Sequence, residues 1–249
     1  MCGRYSITSP PEAVRAVFGY AEQPNFPPRY NIAPTQPIPL VRTGLRKPEG
    51  LQREFALARW GLVPGWAKEI GSKPLINARS ETVAEKPSFR AAFRHRRCLL
   101  PADGYYEWWR GGDGVPQPYY IRPSQGGLFA MAAIWECWIS PDGSELDTVA
   151  LLTMAANPSL QPIHHRMPCV LPPECWSDWL DCVNTDRKAA TSMLLPPRDD
   201  FFFATRVSTA VNKVANSGPE LQLEIEAPET PEVPKAPEAE PEPDQPRLL

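Results

Sequence analysis

The sequence predicts an α+β domain with a mostly antiparallel sheet, followed by a disordered tail. Five runs rich in β-branched and aromatic residues are separated by short glycine-containing turns, which is the pattern of consecutive antiparallel strands. Helical patterns are few and short, and the end of the chain is rich in proline and acidic residues. The expected strands cover residues 97–100, 105–110, 119–122, 128–138 and 148–154.

Three short helices are expected outside these strands. Ser9 and Glu12 stand at capping-box spacing, which predicts a first helix over residues 10–18. Two prolines at 172–173 open a second helix, and a third covers residues 185–195. We expect one compact domain, because a chain of 249 residues can bury a single sizeable core.

The domain is expected to span residues 1–222, and the tail residues 223–249. From Pro219 onward nine acidic residues face two basic ones, a net charge of −7, so the net charge of −3 for the whole chain leaves +4 for residues 1–218. Frequent proline and few bulky apolar side chains predict that the tail stays disordered. The mild positive charge of the domain is compatible with a polyanionic partner.

The composition argues against several classes of protein. Six cysteines lie at irregular spacings without a C-x-x-C pair, which disfavours a zinc site and a disulfide scaffold and favours a reducing cytoplasm. No uncharged apolar run reaches 18 residues, so neither a membrane span nor a signal peptide is expected. Glycine-rich phosphate-binding motifs are missing, and we expect neither a cofactor nor a metal.

The first candidate for chemistry is Cys2. Removal of Met1 would give Cys2 a free α-amine beside its thiol, with ordinary pKa values of about 7.7–8.0 and about 8.5. Such a 1,2-aminothiol can condense with an aldehyde, because the amine forms a Schiff base and the thiol then closes a five-membered thiazolidine ring. The alternative is that Cys2 is simply a small residue at the start of the domain.

Two further segments carry acid–base groups. Glu107 lies between Tyr105 and Trp109 on one face of an expected strand, where burial would favour its protonated form. Of the adjacent His164 and His165, we expect only one to take part in proton transfer. The alternatives are a glutamate that faces solvent or pairs with an arginine, and histidines with a structural role.

A third group has the composition of a surface for single-stranded nucleic acid. Asn77 and Arg79 follow a tryptophan-containing segment that ends at Trp66, and Arg166 follows the two histidines. Exposed tryptophans can stack on bases, and guanidinium groups can bind phosphates. The alternative is that the tryptophans belong to the core.

Eight segments stand in order along the chain from Met1 to Leu221: MCGRY, RYNIAPTQ, WGLVPGW, INARSET, CLLPADGYYEW, TMAAN, IHHRMP and VSTAVNKVANSGPEL. In this order they resemble the SOS response-associated peptidase (SRAP) family. The resemblance implies a compact α+β domain with a curved, mostly antiparallel sheet, a few short helices and a positively charged groove. It also implies a DNA damage response protein that senses abasic sites in single-stranded DNA and crosslinks to them through the processed N-terminal cysteine.

The resemblance assigns roles to two sets of residues. The implied catalytic set supplies the nucleophile, the group that orients the sugar or the amine, the acid–base group and the group that assists ring opening: Cys2, Asn77, Glu107 and His164, respectively. The implied DNA-binding set is Arg4, Trp66, Arg79 and Arg166.

Two other functions remain open from the sequence. One is a cysteine peptidase, in keeping with the family name, in which Cys2 attacks its own Met1 peptide or another amide. The other is a noncovalent DNA-binding protein in which Cys2 plays no part. In each case we expect a cytoplasmic monomer, associated with the nucleoid if the source is bacterial.

Overall fold

The computed structural model describes residues 2–44, 52–111 and 116–226. Within these ranges the chain forms thirteen β-strands, four short α-helices and three short 3-10 helices, so the predicted α+β class is confirmed. The domain boundary at residue 222 stays a prediction, and most of the predicted tail, residues 227–249, lies outside the described residues. None of the described helices is long and apolar enough to span a membrane.

The bounds of the elements, in chain order, are as follows. The strands are β1 (Tyr5–Ile7), β2 (Arg29–Ile32), β3 (Pro37–Thr43), β4 (Arg53–Trp60), β5 (Asn77–Arg79), β6 (Arg97–Ala102), β7 (Gly104–Trp109), β8 (Gln117–Pro123), β9 (Phe129–Ile139), β10 (Glu145–Ala155), β11 (Arg166–Pro168), β12 (Val170–Leu171) and β13 (Phe202–Arg206). The α-helices are α1 (Pro11–Phe18), α2 (Arg90–His95), α3 (Trp176–Leu180) and α4 (Arg187–Ser192), and the 3-10 helices are Pro173–Cys175, Thr209–Asn212 and Pro219–Gln222.

The strands form two sheets, one open and one closed. The open sheet has the order β13-β8-β7-β1-β2, and all its pairings are antiparallel. In the second sheet β10, β4, β3, β6 and β9 pair in turn, and β9 pairs back with β10, so that these five strands form a closed barrel. Strands β4 and β5 pair with β10 in parallel, and the other pairings of this sheet are antiparallel, as the sequence predicts for most of the fold.

Two helix predictions need correction. The capping box at Ser9 does not form, because the backbone N–H of Ser9 donates to Asp103 Oδ2 over 2.9 Å and its hydroxyl donates to the same carboxylate. Helix α1 begins after Pro10 without a side-chain cap. The third predicted helix is shorter than expected and begins at Arg187, because Asp186 caps it by accepting the backbone N–H of Ala189 over 2.8 Å.

The two faces of β7 pack against different parts of the chain. Tyr105 is buried in the main core, which is shared by the barrel and the open sheet. Tyr106 points the opposite way, into a small cluster formed with the C-terminal residues Val207, Val211 and Leu221. Because side chains alternate along a strand, the face that carries Tyr105 also carries every second residue after it.

A buried arginine joins the barrel to the helical segment that follows it. Arg97 is 1% exposed, and its guanidinium donates four hydrogen bonds of 2.7–3.1 Å. The acceptors are all backbone carbonyls, those of Phe93, Trp179, Asp181 and Thr185. Three of these four bonds are buried and the bond to Thr185 is partly buried, so Arg97 satisfies carbonyl groups that have little access to water.

We expect Arg97→Ala to lower the free energy of unfolding by about 3 kcal/mol, because the substitution leaves several buried carbonyls without donors. Arg94→Ala is the matched control: Arg94 lies in α2, three residues before Arg97, with an exposed side chain, and its loss is expected to change the stability by no more than about 0.5 kcal/mol. Urea unfolding of both variants measures the difference. Equal stabilities of the two variants would contradict a stabilising role for Arg97.

Candidate active site

The structure brings together the four residues of the implied catalytic set, which come from distant parts of the sequence. Cys2 precedes β1, Asn77 opens β5, Glu107 lies on β7 and His164 lies in the turn before β11. Strand β7 is held between β1 and β8, so Glu107 is in the interior of the open sheet and not on its edge. This arrangement places the start of the chain beside Glu107.

Cys2 is fully buried and is held by its backbone. Its carbonyl oxygen accepts a hydrogen bond of 2.8 Å from Asn77 Nδ2, and its thiol lies 3.8 Å from the carbonyl oxygen of Arg4. Burial raises the pKa of the Cys2 thiol well above its ordinary value, and the negative charge of Glu107 adds to this rise. The thiol is therefore protonated at neutral pH.

Asn77 is positioned by the barrel. Its strand pairs in parallel with β10, where Asn77 stands opposite Leu151, and this pairing directs its amide toward Cys2. The amide nitrogen is used by the Cys2 carbonyl, whereas the buried Asn77 Oδ1 has no hydrogen-bond partner among the described residues. This oxygen is an acceptor that a donor of a ligand or of a processed terminus can use.

Glu107 is almost fully buried, with 4% of its surface exposed. Desolvation raises the pKa of its carboxyl group, and the backbone N–H of Trp108 and the positive charge of Arg110 are among the influences that partly oppose this. The prediction of a buried glutamate on the Tyr105 face is confirmed, and the alternative of a solvent-facing glutamate is wrong. A carboxyl group in this environment holds its proton at higher pH than an exposed one does.

His164 faces Glu107. Its Nε2 lies 3.9 Å from Glu107 Oε1, and its Nδ1 accepts the backbone N–H of Arg166 over 2.9 Å. Nδ1 also lies 3.1 Å from the Arg166 carbonyl oxygen, but the backbone N–H can only donate, so the shorter contact assigns the proton of the neutral ring to Nε2, on the side of Glu107. Desolvation lowers the pKa of His164, so the ring is neutral at pH 7, and the ring of His165 stacks on it with centroids 4.4 Å apart.

The four residues predicted to bind DNA fall into two pairs. Trp66 and Arg79 are exposed, with Trp66 at 69%, on the loop after β4 and at the end of β5. Arg166 and Arg4 already have partners within the protein. Arg166 donates to both carboxylate oxygens of Glu81 over 2.5 and 2.9 Å, and Arg4 donates to Asn31 Oδ1 and to the carbonyl of Val211, each over 2.7 Å.

Two residues next to Glu107 complete the surroundings of the site and were not singled out as site residues from the sequence. Trp109 is 41% exposed and shares the face of Glu107. Arg110 follows it, and its charge acts on both Glu107 and His164. The sequence signal that could have identified them is the aromatic run that ends in Trp109 and is followed directly by Arg110. Among the residues that the structure describes, no group of histidine, cysteine or carboxylate side chains has the arrangement of a metal site.

A family model described as SOS response associated peptidase (SRAP) matches residues 1–214. The chain belongs to the SRAP family. The resemblance found in the sequence is thereby confirmed. SRAP relatives include the abasic site processing protein YoqW of Bacillus subtilis, which is 38% identical over 89% of this chain and 98% of its own length. The abasic site processing protein HMCES of Pongo abelii is 32% identical over 88% of this chain and 75% of its own length.

Solved structures show the same fold. A protein from Bacteroides thetaiotaomicron superimposes with a TM-score of 0.77 at 25% identity, covering 90% of this chain and 100% of its own. A protein from Bordetella bronchiseptica gives a TM-score of 0.72 at 27% identity, covering 83% of this chain and 100% of its own. The SRAP fold thus extends over nearly all of the described part of the chain.

Proposed function

We propose that this protein processes abasic sites in single-stranded DNA by forming a covalent crosslink through Cys2. The observation that carries the proposal is the position of Cys2: its carbonyl is fixed by Asn77, and it lies beside the buried Glu107 and the half-buried His164. The SRAP relatives named as abasic site processing proteins support the choice of substrate. The crosslink would shield the lesion from strand cleavage.

The reaction requires that Met1 be removed first. While Met1 is present, the Cys2 nitrogen belongs to a peptide bond and cannot form a Schiff base. Hydrolysis of that bond releases methionine and leaves an α-amine whose ordinary pKa is about 7.7–8.0, so a useful fraction is unprotonated at neutral pH. Asn77 Oδ1, a buried acceptor without a partner among the described residues, is proposed to orient this amine by accepting one of its N–H bonds.

Glu107 is proposed to act first as an acid and then as a base. The amine attacks the sugar aldehyde at C1′ and gives a carbinolamine, whose hydroxyl takes the proton of Glu107 and leaves as water. The Cys2 thiol then adds to the imine carbon and closes the thiazolidine ring. The thiol proton returns to the Glu107 carboxylate, which matters because the raised pKa of Cys2 keeps the thiol protonated until it reacts.

His164 is proposed to open the sugar. An abasic deoxyribose exists mostly as a closed hemiacetal, and the aldehyde appears when a proton reaches the ring oxygen. The Nε2–H of neutral His164 is on the side of Glu107, where such a proton is needed. Arg166 acts through its backbone N–H, which fixes the ring orientation, while its guanidinium is held by Glu81. The net reaction joins aldehyde and aminothiol with loss of one water and involves no oxidation or reduction.

The four residues proposed to bind DNA differ in whether their side chains already make hydrogen bonds within the protein. Trp66 and Arg79 are exposed and available for stacking and for phosphate contact. For Arg4 and Arg166, phosphate contact would add to the hydrogen bonds that these side chains already make within the protein.

Arg79→Ala is expected to weaken binding of single-stranded DNA and to reduce its salt dependence. One phosphate contact releases counterions, so the slope of log K against log salt concentration should become shallower by about 0.7. Fluorescence anisotropy with a labelled oligonucleotide across a salt series measures both effects. A slope unchanged from the wild type would show that Arg79 does not bind phosphate.

The proposed function is tested by incubating the protein with a single-stranded oligonucleotide that carries one abasic site. We expect a shifted band that survives boiling on a denaturing gel. No band should form with the intact oligonucleotide, with one whose abasic aldehyde has been reduced to an alcohol, or with a protein variant extended by residues ahead of Cys2. Crosslinking by the extended variant would overturn the α-amine mechanism, and cleavage of a test peptide without any band would favour the peptidase.

A further inference from the structure

Trp109 is an exposed aromatic residue at the edge of the candidate site. It ends β7 and pairs with Gln117 of β8, so the alternation of the strand holds up to this residue. Its indole therefore extends from the same face as Glu107, about 6.6 Å further along the strand. Trp109 is 41% exposed, whereas Glu107 is 4% exposed, so this face of the strand changes from buried to exposed between these two residues.

The surroundings of Trp109 restrict its indole and add positive charge. Gly111 lies so close to the six-membered ring of Trp109 that a Cβ atom at this position would overlap it. The indole therefore packs against the backbone of Gly111. Arg110, between them, has an exposed side chain, and its charge reaches both Glu107 and His164. The two residues with which the chain leaves the strand beyond Glu107 therefore contribute an exposed aromatic ring and an exposed guanidinium group.

We propose that Trp109 stacks on the base next to the abasic sugar and that Arg110 binds the phosphate between the two nucleotides. This inference rests on the proposed function, because it takes the sugar to lie at Glu107. A lesion without a base leaves its neighbour with one unstacked face, and an indole one nucleotide step away can cover that face. Stacking on an aromatic ring accepts every base and is stronger with larger ring systems, so a purine neighbour is bound more tightly than a pyrimidine.

The test is a binding measurement that does not depend on crosslinking. The probe is a single-stranded oligonucleotide with a tetrahydrofuran abasic analogue, which has no aldehyde and cannot react with Cys2. Three versions carry adenine, thymine or a second tetrahydrofuran on each side of the lesion. Wild type, Trp109→Ala and Trp109→Phe are compared with Phe203→Ala, a control that removes an aromatic residue, 49% exposed, from strand β13 of the same sheet.

Trp109→Ala is expected to weaken binding of the adenine-flanked probe about tenfold, which corresponds to about 1.4 kcal/mol of stacking. With the probe that has no neighbouring bases, the loss should fall below about twofold, because the partner of the indole is missing. Trp109→Phe should recover most of the affinity, and Phe203→Ala should bind like the wild type with all three probes.

The inference is overturned if Trp109→Ala loses the same affinity with all three probes, or loses none. It is also overturned if the wild type does not bind the analogue at all. The proposed function fails in a different way: the wild type would bind the analogue with the expected preference for adenine, yet form no stable adduct with a true abasic site.

Discussion

Cys2→Ser is expected to abolish the adduct that survives boiling. The variant keeps the α-amine after Met1 is removed, so it can still form a Schiff base with the abasic aldehyde, but no thiol is present to close the thiazolidine ring. A Schiff base hydrolyses on heating unless it is reduced. The serine variant should therefore give a band on a denaturing gel only when cyanoborohydride is included, whereas the wild type needs no reductant.

The N-terminus of each preparation must be established by intact mass, since neither the Schiff base nor the thiazolidine can form while Met1 is attached. Cys2→Ala serves as a second variant without a thiol and should behave like Cys2→Ser. Cys98→Ser is not a useful control, because Cys98 is fully buried in the core. Cys175 is partly exposed, and Cys175→Ser should crosslink like the wild type. A heat-stable band from Cys2→Ser without reductant would contradict the thiazolidine mechanism.

Glu107→Gln is expected to slow crosslinking about 10²–10⁴-fold, which is the usual contribution of a positioned general acid. Glutamine has nearly the same shape and cannot give a proton to the departing hydroxyl. Binding of the tetrahydrofuran analogue should change little, because Glu107 is almost fully buried and has little surface with which to contact DNA. Single-turnover gels for the rate and anisotropy for the affinity separate the two effects. A variant that reacts at the wild-type rate would exclude Glu107 from the chemistry.

The pH profile should change as well. In the proposed mechanism the wild type needs a protonated Glu107 and an unprotonated amine. Its rate should therefore rise with pH at first, level off above the raised pKa of Glu107 and decline above the pKa of the amine, about 7.7–8.0. In Glu107→Gln only the amine titrates. Its slow rate should rise until the amine is unprotonated and then stay constant. A decline at alkaline pH in both proteins would assign that decline to another group.

The same substitution is expected to affect stability with a sign that depends on pH. Burial raises the pKa of Glu107 in the folded protein, so the folded state binds this proton more tightly than the unfolded state does. The stabilisation that comes from this tighter proton binding is fully present below the ordinary pKa of glutamate. It is lost as the pH rises through the pKa that Glu107 has in the folded protein. Glu107→Gln should therefore have the higher melting temperature at pH 7.5, with a smaller advantage toward pH 4.5. A melting temperature below that of the wild type at pH 7.5 would contradict this.

The fold class and the nature of Glu107 follow from local patterns that the sequence displays. The run around Glu107 has the period of a strand, and its aromatic neighbours predict burial on one face, which the structure confirms. Other features depend on partners that are distant in the chain. The bond between Asn77 and Cys2 joins residues 75 positions apart through the pairing of β5 with β10, and no local period encodes that pairing.

The capping box that the sequence predicts at Ser9 does not form, and the reason is again a partner distant in the chain. Ser9 and Glu12 satisfy the local rule, but the carboxylate of Asp103, 94 positions away from Ser9, competes for the serine hydroxyl and backbone N–H. The spacing of residues along the sequence indicates only the partners that are near in the chain. The closure of the barrel is likewise a matter of tertiary pairing, since it needs β9 to pair with both β6 and β10 along its length.

The packing of the second face of β7 has a consequence for when the protein becomes reactive during its synthesis. Tyr106, the neighbour of Glu107, is covered by Val207, Val211 and Leu221, which leave the ribosome long after the strand itself. Under the proposed mechanism, a nascent chain that has lost Met1 would carry an exposed aminothiol before the last part of the domain has emerged. Glu107 would not yet have its final buried environment, so the aminothiol would meet cellular aldehydes without its acid catalyst.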